Sequence, residues 1–130
     1  MRIYISGPMT GMPDSNISAF NAAAERLRAE GHFVINPHDL TPVFGTADEI
    51  AKSFDAMYHI ELFGPDYKPS KVYAKEAQLA RSIMSADLAA VRSCDAIYLL
   101  RGWESSRGAK KELAEALAHG LQVMQEGDEE

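Results

Sequence analysis

Short apolar segments alternate with amphipathic helical patterns in this chain, and that order constrains the fold more than any other feature. Residues 2–6 read Arg-Ile-Tyr-Ile-Ser and are followed at once by Gly7 and Pro8, as is typical of a strand that ends in a turn. Residues 16–30 have apolar side chains at helical spacing, and residues 33–35 form a second apolar segment. A strand–helix–strand order favours a right-handed crossover, so we predict an α/β fold with a parallel sheet.

The second half of the chain continues the same order. Residues 73–93 have helical spacing, residues 95–100 are an apolar strand, and residues 108–119 form another helix that Gly120 closes. Residues 121–124 predict a last short strand. The sheet should therefore have about four to five strands.

The segment 38–72 is less regular. Its residues 47–59 have a pattern that a helix could adopt, whereas residues 63–70 are rich in Gly, Pro and other turn-forming residues. We therefore predict one α/β domain over residues 1–124 with an irregular excursion at 38–72. The acidic residues 125–130 predict a disordered tail.

Charge and hydropathy exclude several classes of partner. The net charge of −6 argues against binding of a nucleic acid polymer, which requires a surplus of Lys and Arg. No apolar run approaches the roughly 20 residues of a membrane span, so no membrane partner is expected. The sequence opens without signal-peptide architecture and has one cysteine, which favours a cytoplasmic protein.

Two carboxylates lie where apolar side chains are expected. Asp87 falls inside the apolar stripe of the predicted helix 73–93, and Glu112 falls at the edge of the stripe of the helix 108–119. A carboxylate among apolar neighbours must be hydrogen-bonded, paired or shifted in pKa. Each could cap a helix or pair with an arginine. Two such residues on helices that flank one predicted strand favour a functional site.

The residues 95–116 combine a strand, a Gly- and Ser-bearing loop and the start of a helix. Ligands of open α/β sheets bind outside the carboxyl ends of strands, where such loops lie. Ser106 and Gly108 open the helix, whose free N–H groups favour an anion, although Ser106 could be only an N-cap. Trp103 could stack on a base or serve as a packing anchor.

The loop after the first strand also qualifies as a binding loop. Residues 4–11 lack both the GxGxxG motif and the Gly-Lys-Ser/Thr of a P-loop, but their glycines allow close approach of the backbone to a ligand. We predict substrate contacts in this loop from Gly7, Pro8, Thr10 and Gly11. The four histidines lack the spacing of a metal site, so neither a metal nor another cofactor is expected.

The order of several of the residues named above resembles that of a known enzyme superfamily. Tyr4, Gly7, Asp87-Leu88, Asp95, Ser106-x-Gly108 and Glu112 occur in the order seen in the nucleoside 2-deoxyribosyltransferase superfamily, which includes the 2′-deoxynucleoside 5′-monophosphate N-glycosidases. Residues 3–11 and 94–104 look most like a phage and prophage group within it. The likeness covers residues 2–37 and 77–120.

The resemblance implies a flavodoxin-like (Rossmann-like) three-layer fold and cleavage or transfer at the N-glycosidic bond of a (deoxy)nucleoside or nucleotide. It makes Glu112 the nucleophile, Asp87 the acid that assists the departing base, and Tyr4 the phenol that orients the nucleophile. Ser106 and Gly108 would hold the 5′ end of the sugar. It also implies a homodimer or higher homo-oligomer. The alternative is a non-catalytic module that senses a nucleotide with the same pocket.

Overall fold

A four-stranded parallel sheet forms the centre of the computed structural model, which describes residues 1–40, 44–64 and 68–127. The strands are β1 (Arg2–Ser6), β2 (Phe33–Ile35), β3 (Ala96–Leu99) and β4 (Gln122–Gln125), in the order β2-β1-β3-β4. Every neighbouring pair is parallel. The predicted α/β fold is thus confirmed, and its strand order is that of the flavodoxin-like sheets.

Within the described residues, five α-helices connect or flank these strands. They are α1 (Ile17–Ala29), α2 (Pro37–Leu40), α3 (Ala47–Phe63), α4 (Lys68–Arg92) and α5 (Arg107–Ala118), with short 3₁₀ turns at Pro13–Asn16 and Trp103–Ser105. No helix within the described ranges combines the length and apolar character that crossing a membrane requires.

The two faces of the sheet carry separate apolar clusters because side chains of a strand alternate between faces. On one face, Ile3 and Ile5 of β1 pack with Phe20 and Leu27 of α1. On the opposite face, a second cluster contains Tyr4, Ile97 and Leu99 of the sheet, Val91 near the end of α4, Cys94, and Ala116 of α5. Tyr4 is therefore a fully buried residue on the face that α5 covers.

The chain divides into two compact units, residues 1–39 with 87–130 and residues 40–86. The sheet, α1 and α5 belong to the first unit. The second unit has its own apolar cluster on α3 and α4, formed by Ala56, Met57, Ile60, Ala77 and Ala80. Within it, the Ser53 hydroxyl donates to the backbone oxygen of Glu76 and accepts from the backbone N–H of Ala80 at 2.7 Å.

The described part of segment 38–72, for which the sequence predicted an irregular excursion with a possible helix at 47–59, is largely helical. Thr46 and Glu49 form a capping box that begins α3, and Gly64, with φ of +86°, ends it. Helix α4 begins at Lys68 rather than at residue 73, because Pro69 falls in its first turn, where a helix does not use the N–H. Residues 65–67 of the predicted turn lie outside the described residues.

The predicted acidic tail begins later than expected. Gln125 is the last residue of β4, and the backbone N–H of Glu126 donates to the backbone oxygen of Leu99 at 2.8 Å. Gln125 belongs to the strand because β4 stays paired with β3 for one residue beyond its apolar pattern. Residues 128–130 lie outside the described residues.

Candidate active site

A buried carboxylate, Glu112 of α5, is held by two hydroxyl groups of β1. The Tyr4 phenol donates to Oε2 of Glu112 at 2.5 Å, and the Ser6 hydroxyl donates to Oε1 at 2.6 Å. Tyr4 and Ser6 are two residues apart on one strand, so both side chains point to the same face of the sheet. Both Glu112 oxygens thereby have a fixed hydrogen-bond partner.

The start of α5 determines where Glu112 lies. The Ser106 side chain accepts a hydrogen bond from the backbone N–H of Ala109 at 3.1 Å and so caps the helix. Ala109 and Ala116 are both buried, three residues before and four residues after Glu112. Residues at these spacings share a helix face, and the small alanines let that face approach the sheet closely enough for Glu112 to reach β1.

Asp87 of α4 is the second buried carboxyl of this face. Among the described charged side chains, Asp87 and Glu112 are the two that are buried, with 9% and 7% of their surfaces exposed. Asp87 is close enough for the charge of Glu112 to act on it. Burial raises the pKa of Asp87 to about 8, and the negative charge of Glu112 adds to that rise.

The pKa of Glu112 depends on two opposing effects. Burial raises the pKa of Glu112 to about 7, while the hydrogen bonds from Ser6 and Tyr4 favour its charged form and limit the rise. Burial, the charges of Glu112 and Asp87, and the hydrogen bond to Glu112 raise the pKa of Tyr4 well above its usual value, so its phenol stays a donor. The two donated hydrogen bonds therefore favour the charged form of Glu112, and burial favours the protonated form of Asp87.

The loop after β1 packs closely against the loop after β3. Gly7 and Pro8 are buried, and a Cβ atom on Gly7 would lie 2.7 Å from Cβ of Leu100. A Cβ on Gly102 would lie 3.3 Å from Cγ of Pro8. The absence of a side chain at Gly7 therefore serves this loop–loop packing. By contrast, Thr10 and Gly11 are exposed.

A cleft of about 200 Å³ opens at the carboxyl ends of β3 and β4. The residues that line it are Leu99, Leu100, Arg101, Gly102, Trp103, Glu104, Gln125 and Glu126. Trp103 is the one predicted site residue in this lining, which contains neither Glu112 nor Asp87. Trp103 also packs against the apolar cluster that contains Tyr4, so it joins the cleft to the carboxylate face.

Tyr4, Asp87 and Glu112, which the sequence predicted as site residues, lie on one face, whereas Ser6 and Gln125 were not predicted. Ser6 comes before a Gly-Pro turn and looks like a turn residue. The alternation of β1 was the available signal, because it places Ser6 on the same face as Tyr4. Gln125 had no local signal, since its position depends on the register of β4 with β3.

The family model described as "Domain of unknown function (DUF4406)" matches residues 1–86 and 42–125. The chain belongs to this family. No curated protein and no solved structure matches it. The residues described for this family member include no group of three or more His, Cys, Asp and Glu side chains arranged to hold a metal ion.

Proposed function

We propose that this protein cleaves or transfers the N-glycosidic bond of a (deoxy)nucleoside or nucleotide. The observation that carries the proposal is the buried Glu112 carboxylate, held by Tyr4 and Ser6 beside a second buried carboxyl, Asp87. Two carboxyl groups with different protonation states are what glycosidic cleavage requires. The order of residues that resembles the nucleoside 2-deoxyribosyltransferase superfamily supports the same reaction.

Glu112 acts as the nucleophile in this proposal. Its carboxylate attacks the anomeric carbon, the bond between that carbon and the base nitrogen breaks, and the bonding electrons leave with the base. The Tyr4 and Ser6 hydroxyls orient the carboxylate while it is charged. Burial and the neighbouring charge of Glu112 favour the protonated form of Asp87, and Asp87 donates that proton to the departing base.

The second half of the reaction releases the sugar from Glu112. A water molecule or a second base attacks the anomeric carbon, and the ionised Asp87 accepts the proton that the attacking group loses. Water as acceptor makes the protein a hydrolase, and a base makes it a transferase. Ser106 and Gly108, at the start of α5, are proposed to bind the 5′ end of the sugar, and the Gly7–Gly11 loop to border the substrate.

The test is release of free base from a panel of nucleosides, deoxynucleosides and their 5′-monophosphates, followed by chromatography with and without a second base. The wild-type protein should release base, and Glu112→Gln should lower the rate at least about 100-fold. Asp87→Asn should lower it most for bases that depart poorly without a proton. Glu115→Gln is the matched control, because Glu115 lies on the same helix and pairs with Arg92 instead.

The outcomes separate the enzyme from its alternative. Base release that survives in Glu112→Gln would contradict the assigned nucleophile. Tight nucleotide binding without any release, unchanged by Glu112→Gln, would instead establish a sensing module. We also propose that the protein is a cytoplasmic homodimer or larger homo-oligomer, and a monomer mass by light scattering would contradict that assembly.

A further inference from the structure

The cleft at the ends of β3 and β4 is sized for part of a ligand rather than for a whole nucleotide. Its volume is about 200 Å³, whereas sites for drug-sized molecules span roughly 300–1,000 Å³. A single planar ring system suits such a volume. All residues of its lining belong to the first compact unit.

Strand register connects the cleft to Glu112. Ser6 of β1 is paired with Leu99 of β3, and Leu99 is paired with Gln125 of β4. Paired residues of parallel strands point to the same face, and neighbouring strands lie roughly 5 Å apart, so Ser6 and Gln125 are about 10 Å apart along one row. Ser6 holds Glu112 at one end of this row, and Gln125 lines the cleft at the other.

The lining of the cleft suits a planar group that donates hydrogen bonds. The Trp103 indole provides an aromatic surface, and its Nε1 donates to Oε1 of Gln125 at 3.4 Å. Two carboxylates, Glu104 and Glu126, outnumber the single cation Arg101. The backbone N–H of Arg101 donates to Oε1 of Glu126 at 3.1 Å and its Nε lies 3.8 Å from the same oxygen, so Oε2 of Glu126 and the Glu104 carboxylate are the acceptors left for a ligand. An acidic lining accepts from N–H groups and repels phosphate.

We propose that this cleft binds the nucleobase of the substrate and prefers bases with an exocyclic amino group, such as adenine and cytosine. The sugar then lies at the Ser6 end of the row, beside Glu112. The base is held by stacking on Trp103 and by hydrogen bonds to Gln125 and Glu126. This inference rests on the proposed function, because it assigns the base and the sugar to the two ends of one substrate.

Trp103 makes the cleft directly observable because it is the only tryptophan of the chain. Titration of the full-length protein with adenine, hypoxanthine, cytosine and uracil should quench its fluorescence saturably. Each amino base should bind about tenfold more tightly than its oxo counterpart, the difference that one added hydrogen bond makes. Equal dissociation constants within the two pairs would overturn the amino preference.

Substitutions at the end of β4 and in the residue after it test whether the bases bind in the cleft. Gln125→Ala should raise the dissociation constant of every base about tenfold, and Glu126→Ala should remove the preference for amino bases. Val123→Ala is the control, since Val123 lies on the same strand but outside the cleft lining, and it should leave both values unchanged. Circular dichroism confirms that each variant is folded. Unchanged binding in both cleft variants would overturn the assignment.

The same titration on Glu112→Gln separates this inference from the proposed function. Saturable quenching in Glu112→Gln, together with no base release by the wild-type protein, would overturn the reaction and leave base recognition standing. Base release that depends on Glu112, without quenching by any of the four bases, would overturn the cleft assignment and leave the reaction standing.

Discussion

At the scale of single residues, the Tyr4 and Ser6 hydroxyl groups of β1 favour the ionised form of Glu112. Each donates to one oxygen of a carboxylate that is almost removed from water. Hydrogen bonds to the charged form oppose the effect of burial, which alone would keep the carboxyl protonated. A nucleophilic carboxylate must be ionised, so Ser6 and Tyr4 should extend the proposed activity to lower pH than burial alone would permit.

Ser6→Ala tests this role of Ser6. The variant leaves Oε1 of Glu112 without its donor, so the pKa of Glu112 should rise above about 7 and the acidic limb of the rate profile should move to higher pH. The rate of base release measured from pH 5 to 9 checks this shift. Ser105→Ala is the control, since the exposed Ser105 hydroxyl donates to the backbone oxygen of Gly102 instead. An acidic limb that stays in place would show that Ser6 has no part in the ionisation of Glu112.

Gly7→Ala tests the packing of the two loops. The new Cβ would lie 2.7 Å from Cβ of Leu100, closer than two carbon atoms tolerate, so the backbone must shift. Overpacking of this kind costs about 1–3 kcal/mol, and the free energy of unfolding should fall by that amount. Urea denaturation measures the change. A denaturation midpoint equal to that of the wild type would contradict the tight contact between Gly7 and Leu100.

At the scale of elements, α5 carries Glu112, and its start is defined by one side chain. Ser106→Ala should lower the free energy of unfolding by about 1 kcal/mol because the N–H of Ala109 loses its acceptor. Ser106→Asn is the control, since asparagine caps helices about as well as serine. Thermal denaturation of the two variants and the wild type compares them. Equal losses in both variants would indicate that Ser106 acts through something other than the cap.

Local sequence patterns predicted the strands and the helix that build the site. The features that these patterns did not predict depend on contacts between residues far apart in the sequence. Strands β1 and β3 and helix α5 follow from period-2 and period-3.6 patterns, and the intrusion of Asp87 and Glu112 on apolar stripes was visible for the same reason. The helical pattern of residues 47–59 was visible, but the Gly and Pro residues that follow it hid the full extent of the helices in this segment. The cleft could not be predicted, since it depends on the pairing of β4 with β3.

At the scale of the whole molecule, the buried carboxyl pair links folding to pH. Both pKa values are raised in the folded state, so the folded protein binds more protons than the unfolded chain wherever the unfolded carboxyls have already ionised. The resulting stabilisation is complete below about pH 4 and is lost as pH rises through about 7 and 8. The carboxyl pair that the proposed reaction uses therefore destabilises the folded protein most when both carboxyls are charged.

The free energy of unfolding should accordingly fall as pH rises from about 4 to about 8. The contribution of Glu112 alone is on the order of 3 kcal/mol, for a pKa that rises from 4.5 to about 7. Urea denaturation at pH 5, 6, 7 and 8 measures the slope, and Glu112→Gln should flatten it because the amide does not titrate. Glu115→Gln should leave it unchanged, since the Arg92 side chain lowers the pKa of Glu115 and its titration falls below this range. Equal slopes in Glu112→Gln and the wild type would show that Glu112 is not buried as the site requires.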